Sequence, residues 1–154
     1  MTEAHKEDAD FRIGIKALIM NEKNEMLLLN SGPAERKHSD VDFWDFPGGR
    51  IKQEDGIDAT LRREVEEELG ISRKDVDIGK LFDATISNFK ALKDRNVYLM
   101  LLVYLCKLKS KKLKFRLSDE HSEHRWVPIG EAKKLLSVKY SKSFVEKLDG
   151  VAEI

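Results

Sequence analysis

Four glutamates crowd the segment Arg63-Glu64-Val65-Glu66-Glu67-Glu68-Leu69, and their spacing decides what they can do. On a helix advancing about 100° per residue, with Leu61 at zero, Val65 and Leu69 fall at about 40° and 80°. These apolar residues form the stripe that turns to a core. Glu64, Glu67 and Glu68 fall at about 300°, 240° and 340°, one ridge beside that stripe, while Glu66 at about 140° points away. Carboxylates at i, i+3 and i+4 repel one another and destabilise a helix unless a positive charge sits among them. Arg63 is one candidate for that charge. A hard divalent cation is another, because Mg²⁺ and Mn²⁺ favour oxygen ligands and complete their coordination with water and substrate phosphates. The alternative is a solvated helix face carrying excess negative charge.

The residues before this helix add to the metal reading. Pro47-Gly48-Gly49 ends a strand, and a short loop then leads into the acidic helix. Glycines let the backbone approach an ion or phosphate closely, so the Gly49 carbonyl can serve as a further hard-oxygen ligand.

Residues 49–71 read GRIKQEDGIDATLRREVEEELGI. This segment resembles the Nudix box of the MutT-like hydrolases: Gly, five residues, an acid, seven residues, then Arg-Glu-aliphatic-any-Glu-Glu-any-Gly-aliphatic. Gly49, Asp55, Arg63, Glu64, Val65, Glu67, Glu68, Gly70 and Ile71 occupy its fixed positions. The likeness extends over roughly 11–148. Three positions depart from the usual pattern: the first acid is Asp55 rather than Glu, Lys52 stands where many members carry an acid, and Glu54 stands where a glycine commonly precedes the first acid.

The resemblance implies a hydrolase that breaks a pyrophosphate bond in a nucleoside diphosphate linked to another group. Carried onto this sequence, Glu64, Glu67 and Glu68 hold Mg²⁺, with Mn²⁺ able to substitute, and the Gly49 carbonyl is a further ligand. Glu64 or Glu67 acts on the attacking water. Arg63 orients the glutamates through its planar fork. Asp55 is a supporting carboxylate, and Glu54 can take over part of that role. Many members place another acid in a loop before a late strand carrying Trp. Here that segment is SDEHSEHRW, 118–126, where Glu120 is the first choice for an additional ligand or base and Glu123 the second. His121 and His124 read as surface groups.

Other side chains read as substrate contacts. Arg50 follows the glycines and can meet a phosphate. Trp44 can stack on a base, whereas Phe46 and Trp126 read as core. Arg36, in the loop with Glu35, Lys37 and His38, is expected to cover the site and contact the group linked to the nucleotide.

The surrounding elements must hold these groups in place. Residues 11–20 and 26–29 read as strands joined through the turn-like NEKNE, a hairpin. The helix spans 58–69, with Asp58 suited to start it and Gly70 placed to stop it. Residues 78–86 read as a strand, and 96–107 as a buried strand with a ten-residue apolar run. Residues 112–117 alternate basic and apolar like an edge strand, 124–129 resemble a short strand, and 131–136 and 141–148 read as the last helices. The expected fold class is therefore α/β, a mixed β-sheet between helices.

The chain has 154 residues, enough for one domain, expected at 11–154 after a mobile tail at 1–10. Charges balance at 28 against 28 but are segregated: 58–70 holds five acids and two Arg, and 107–116 holds six cations and no acid. Zero net charge argues against a uniformly basic nucleic-acid binder, and the basic run reads as the wet face of the edge strand. No apolar run approaches the roughly 20 residues of a membrane-spanning helix. The polar, acidic N-terminus does not look like a signal peptide. The lone Cys106 excludes an intrachain disulfide and reads as an inert core thiol in a reducing, cytoplasmic setting. The expected partner is a nucleotide-type small molecule, without nucleic acid or membrane, bound by a monomer or homodimer.

Within the resembled family, a nucleoside triphosphate, ordinary or oxidised, is favoured. The downstream proline of ADP-ribose-type members is missing around Ile86. The tyrosine of dinucleoside-polyphosphate members is also missing, Phe89 being the nearest aromatic. ADP-ribose, nucleotide-sugar and dinucleoside-polyphosphate hydrolysis are the alternatives. A non-catalytic nucleotide-binding module would require loss of the box glutamates, which are intact. Isopentenyl-type isomerisation would require a cysteine arrangement that Cys106, inside its apolar strand, does not offer.

Overall fold

The computed structural model describes residues 7–31, 42–92, 94–110, 114–116 and 121–153. The elements in chain order are β1 (Asp10–Ile19), β2 (Glu25–Ser31), β3 (Trp44–Asp45), β4 (Gly48–Arg50), α1 (Ile57–Leu69), β5 (Val76–Leu92), β6 (Val97–Leu108), β7 (His121–Pro128), α2 (Ile129–Leu136) and α3 (Lys142–Lys147). Short 3₁₀ turns cover Arg73–Asp75 and Leu148–Glu153.

Two sheets form rather than one. The larger has the order β4-β1-β6-β5 and the smaller β3-β2-β7. β1 pairs parallel with β6 over ten positions and antiparallel with β4, so the larger sheet is mixed as expected. The hairpin expectation does not hold. β1 and β2 part after a single bridge, Met20 to Met26, and enter different sheets. The NEKNE turn does form: the Asn21 side chain accepts from the Lys23 and Glu25 amides, and Asn24 takes a left-handed φ of 59°.

Both faces of β1, β2 and β6 are covered, which is why their sequences read as apolar runs. One face carries Ile15, Ala17, Ile19, Leu27 and Leu29 against Leu61, Val65 and Leu69 of α1. The other carries Leu18, Met26, Leu28, Leu101 and Val103 against Ala132, Leu136, Tyr140 and Phe144 around α2 and α3. The result is an α/β/α sandwich. Phe46 and Cys106 are buried in it, and burial pushes the Cys106 thiol up to about 12.

Helix α1 begins with Gly56 as its N-cap, so Asp58 lies in the first turn and does not cap it. Gly70, at φ 71°, ends it in the left-handed conformation that glycine adopts most cheaply. The Arg116 amide donates to the Leu69 carbonyl at 2.7 Å, satisfying a group the helix end leaves open. Of the expected edge strand at 112–117, the described residues 114–116 are not a strand. Their backbone closes the end of α1, and Phe115 packs on the α1-side core beside Trp126.

Candidate active site

Local backbone chemistry sets the ridge of α1 over β4. Glu68 is buried and accepts from the Gly48 amide at 3.2 Å. Glu64 is partly buried directly above Gly49, where an added Cβ would stand 2.6 Å from both of its carboxylate oxygens. Only glycine at 49 leaves room for this carboxylate. Glu67 is exposed on the same side. Glu66 pairs with Arg73 at 3.2 Å, off the ridge, as its helical angle implies.

Arg63 donates to Asp55 at 2.8 Å, and its second terminal nitrogen lies 3.6 Å from Glu64. That nitrogen is buried and makes no hydrogen bond among the described residues. Burial, then the negative charges of Glu68 and Glu67, raises the Glu64 pKa above its ordinary value; Arg63 and Lys16 offset only part of this. Among the described residues no three His, Cys, Asp or Glu side chains are gathered closely enough to cage a metal ion as they stand. The donor chemistry nonetheless suits a hard cation: carboxylate oxygens over a glycine cradle.

Beside the ridge opens a cavity of about 340 Å³. Gly48, Gly49 and Glu64 form one end, and Arg50, Lys52, Phe43, Phe89, Lys90, Lys16 and Lys139 form much of the remaining wall. Arg50 donates to the Ala91 carbonyl at 3.1 Å. Lys52, where the resembled pattern often carries an acid, adds a cation to this wall. Glu54 occupies an exposed turn at φ 67° and makes no ion pair among the described residues. It keeps the backbone conformation that glycine usually supplies and takes no share of Asp55's role in holding Arg63.

Trp44 does not line the cavity. The Arg125 guanidinium covers its ring at 5.1 Å, and its neighbour Phe43 faces the cavity instead. Glu123 is exposed on β7 and lies outside the cavity wall. His124 packs edge-on against Phe115 at 4.9 Å. Glu120 and Arg36, with Glu35, Lys37 and His38, lie outside the described residues.

Sequence reasoning passed over a buried cluster behind the cavity. Asp45 accepts from Lys139 at 2.6 Å and from Tyr140 at 2.5 Å, and pairs with Lys16 at 2.9 Å. Burial alone would raise the Asp45 pKa, but the two ammonium groups and these hydrogen bonds hold the carboxyl well below the usual range. Burial and the Asp45 charge push Tyr140 upward, so it remains a neutral donor. A lysine inside the apolar run of β1 was the available signal for Lys16. Lys139 lies 123 positions later in the chain, and nothing local linked the two.

Comparison with known proteins places the arrangement. The family model described as the NUDIX domain matches residues 10–148. The chain is 27% identical over 125 residues to Nudix hydrolase 5 of Arabidopsis thaliana, and 26% identical over 127 residues to the asymmetrical bis(5'-nucleosyl)-tetraphosphatase of Mus musculus. It spans 38% of the length of the plant protein, and 41% of Arabidopsis Nudix hydrolase 6, which is 30% identical. By contrast, the mouse match covers 82% of this chain and 80% of that protein. Among solved structures, the MutT protein from Methanosarcina mazei Go1 superposes with a TM-score of 0.73 at 25% identity, covering 97% of this chain and all of that one. A C. elegans Ap4A hydrolase superposes at 0.68 with 18% identity, covering 94% and 96% of the two chains, a likeness of fold. With its box helix, its glycine cradle and a family match over nearly its whole length, the chain belongs to the Nudix family.

Proposed function

We propose that the protein hydrolyses a pyrophosphate bond in a nucleoside diphosphate linked to another group, most simply a nucleoside triphosphate yielding monophosphate and pyrophosphate. One observation carries this reading: the carboxylate ridge of α1 meets, through Glu64, a cavity whose other charged side chains among the described residues are all cations. An acidic edge beside a basic cavity suits a polyphosphate that arrives with divalent metal.

Glu64, Glu67, Glu68 and the Gly49 carbonyl are the groups that would hold Mg²⁺, or Mn²⁺ in its place. When bound, such an ion neutralises phosphate charge, lowers the pKa of water and stabilises the leaving phosphate. Arg63, braced by Asp55, fixes the orientation of Glu64. A carboxylate of the ridge takes the proton of the attacking water. Arg50 and Lys52 face the phosphates from the cavity wall. A dinucleoside polyphosphate is the second reading, favoured by the match to the mouse tetraphosphatase over four-fifths of both chains.

The test is product analysis over a substrate panel with Mg²⁺ or Mn²⁺. Pyrophosphate plus a monophosphate from nucleoside triphosphates supports the first reading. A triphosphate plus a monophosphate from a dinucleoside tetraphosphate, without triphosphate turnover, selects the second. No product from any compound, with either metal, overturns the hydrolase reading. Glu67→Gln should lower turnover by about 100-fold or more with an unchanged unfolding temperature, because Glu67 is exposed and supports no packing. Wild-type activity in that variant would remove Glu67 from the site.

A further inference from the structure

We propose that Asn88 is a positioning residue: standing outside the cavity wall, it clamps an arch of β5 to the turn between α2 and α3 and so holds two sides of the cavity together. This rests on the nucleotide reading above and names a residue that sets the shape of that site.

The arch is visible in the ladder. Ile86 pairs with Met100 and Lys90 with Tyr98, so β5 takes four steps while β6 takes two. The surplus residues leave the ladder, and a bulge of this kind bends its strand and re-aims side chains. Here it delivers Phe89 and Lys90 to the cavity wall. Within the arch, the Phe89 amide donates to Ser87 Oγ at 3.0 Å.

Asn88 is where the arch is fastened. Its backbone amide donates to the Lys139 carbonyl at 2.8 Å, and Ser87 Oγ donates to the same oxygen at 2.9 Å. Its side-chain amide donates to the carbonyls of Ser137, Val138 and Tyr140, at 3.2, 3.3 and 2.9 Å. Four successive carbonyls past the end of α2 thus accept from one residue. Carbonyls at a helix end have no partner within the helix and must find one elsewhere. The asparagine amide carries two N–H groups; an aspartate of the same shape carries none.

Both ends of the clamp bear wall residues. On the turn, Lys139 lines the cavity, pairs with Asp45 at 2.6 Å and holds its ammonium group 5.2 Å from the centre of the Phe43 ring. On the arch, Phe89 meets Phe43 edge-to-face at 5.1 Å. Asn88, the turn, Lys139, Phe43 and Phe89 therefore form a closed ring of contacts, and Asn88 itself does not line the cavity. Losing its side-chain bonds frees Lys139 and Phe89 to shift about Phe43. It leaves alone the ridge of α1, which Gly48 and Arg63 brace separately.

Steady-state kinetics of the full chain with Mg²⁺ tests this, on the nucleoside triphosphate or dinucleoside tetraphosphate that the wild type turns over, beside amide hydrogen exchange without nucleotide. Asn88→Ala should raise KM about tenfold and hold kcat within about twofold, because the binding wall loosens while the reacting groups stay in place. Asn88→Asp, equal in shape but without the N–H groups, should do the same. Asn21→Ala removes as many side-chain hydrogen bonds, three, from the NEKNE turn outside the cavity wall, and should leave KM unchanged. The amides of Phe89, Lys139 and Tyr140 should exchange about tenfold faster in Asn88→Ala than in Asn21→Ala, and those of Leu61 and Val65 equally in both. A wild-type KM in either Asn88 variant, or an equal rise in Asn21→Ala, overturns the proposal. So does equal exchange at the turn in the two alanine variants. Exchange is read without turnover, so a chain that hydrolyses nothing ends the nucleotide reading, and the exchange result still decides whether the clamp exists.

Discussion

At Gly49 a methyl group would stand 2.6 Å from both carboxylate oxygens of Glu64, while at Gly48 it would lie inside the Ile15 carbonyl oxygen and 2.9 Å from Lys16 Cα. These neighbours differ in what can yield. A carboxylate at the end of a flexible side chain swings away; a β-ladder backbone does not. Gly49→Ala should therefore keep its stability within about 1 kcal/mol and lose about 100-fold in turnover, because a displaced Glu64 misplaces the reacting groups. Gly48→Ala, at φ 152°, should lose more than about 2 kcal/mol. Urea unfolding beside steady-state assays separates the two. Equal stability losses would mean that Gly49 is a folding residue and not a cradle. That Gly49, Arg63 and Glu64 stand together was legible from the box and its helical spacing. The left-handed turn at Glu54 was not, because that side chain gives no sign of the backbone angle it tolerates.

At the scale of elements, α1 is where periodicity speaks most clearly. Leu61, Val65 and Leu69 recur every four residues and are all fully buried, and the same rotation that buries them sets Glu64 and Glu68 over β4. Leu61→Ala should cost about 2–5 kcal/mol, as loss of a buried leucine does in a close-packed interior. Chemical denaturation checks this, and a cost under about 1 kcal/mol would mean that α1 does not anchor the sandwich. Elsewhere local pattern misled. The strands on either side of NEKNE looked like a hairpin because a turn joins them. β1 instead finds β6, some 87 positions away in register, and β4. The basic and apolar alternation at 112–117 looked like a strand, yet of its described residues 114–116 none is in a strand, and the Arg116 amide goes to the end of α1. Ladder partners are chosen by the whole sheet, and a segment's own alternation does not name them.

At the scale of the molecule, Asp45 ties β3 to β1 and to the turn before α3. Asp45→Asn leaves two buried ammonium groups without their shared carboxylate, so it should cost about 3–5 kcal/mol at neutral pH. The pH dependence has a definite sign. The folded-state pKa of Asp45 is depressed, so its contribution is complete above the ordinary carboxylate value and is lost as pH falls below about 4. The stability gap between wild type and Asp45→Asn should be constant from pH 7 to about 5 and shrink on further acidification. Unfolding curves across that range provide the check. A gap that widens at low pH would place the stabilising charge elsewhere.

The sequence by itself determined the sandwich class, the box helix with its buried stripe, the acidic ridge and the glycine cradle. The class follows from the order of strand-like and helix-like segments along the chain; the helix, ridge and cradle follow from short-range geometry, the turn of a helix or the missing Cβ of a glycine, and a motif of 23 residues contains those three. The tertiary structure alone decided which aromatic residue faces the cavity, with Arg125 covering Trp44 and Phe43 turned inward. It also decided that Lys16, Asp45, Lys139 and Tyr140 meet. Those four stand on three separate stretches of chain, and only the closing of two sheets and their flanking helices brings their charges to one point.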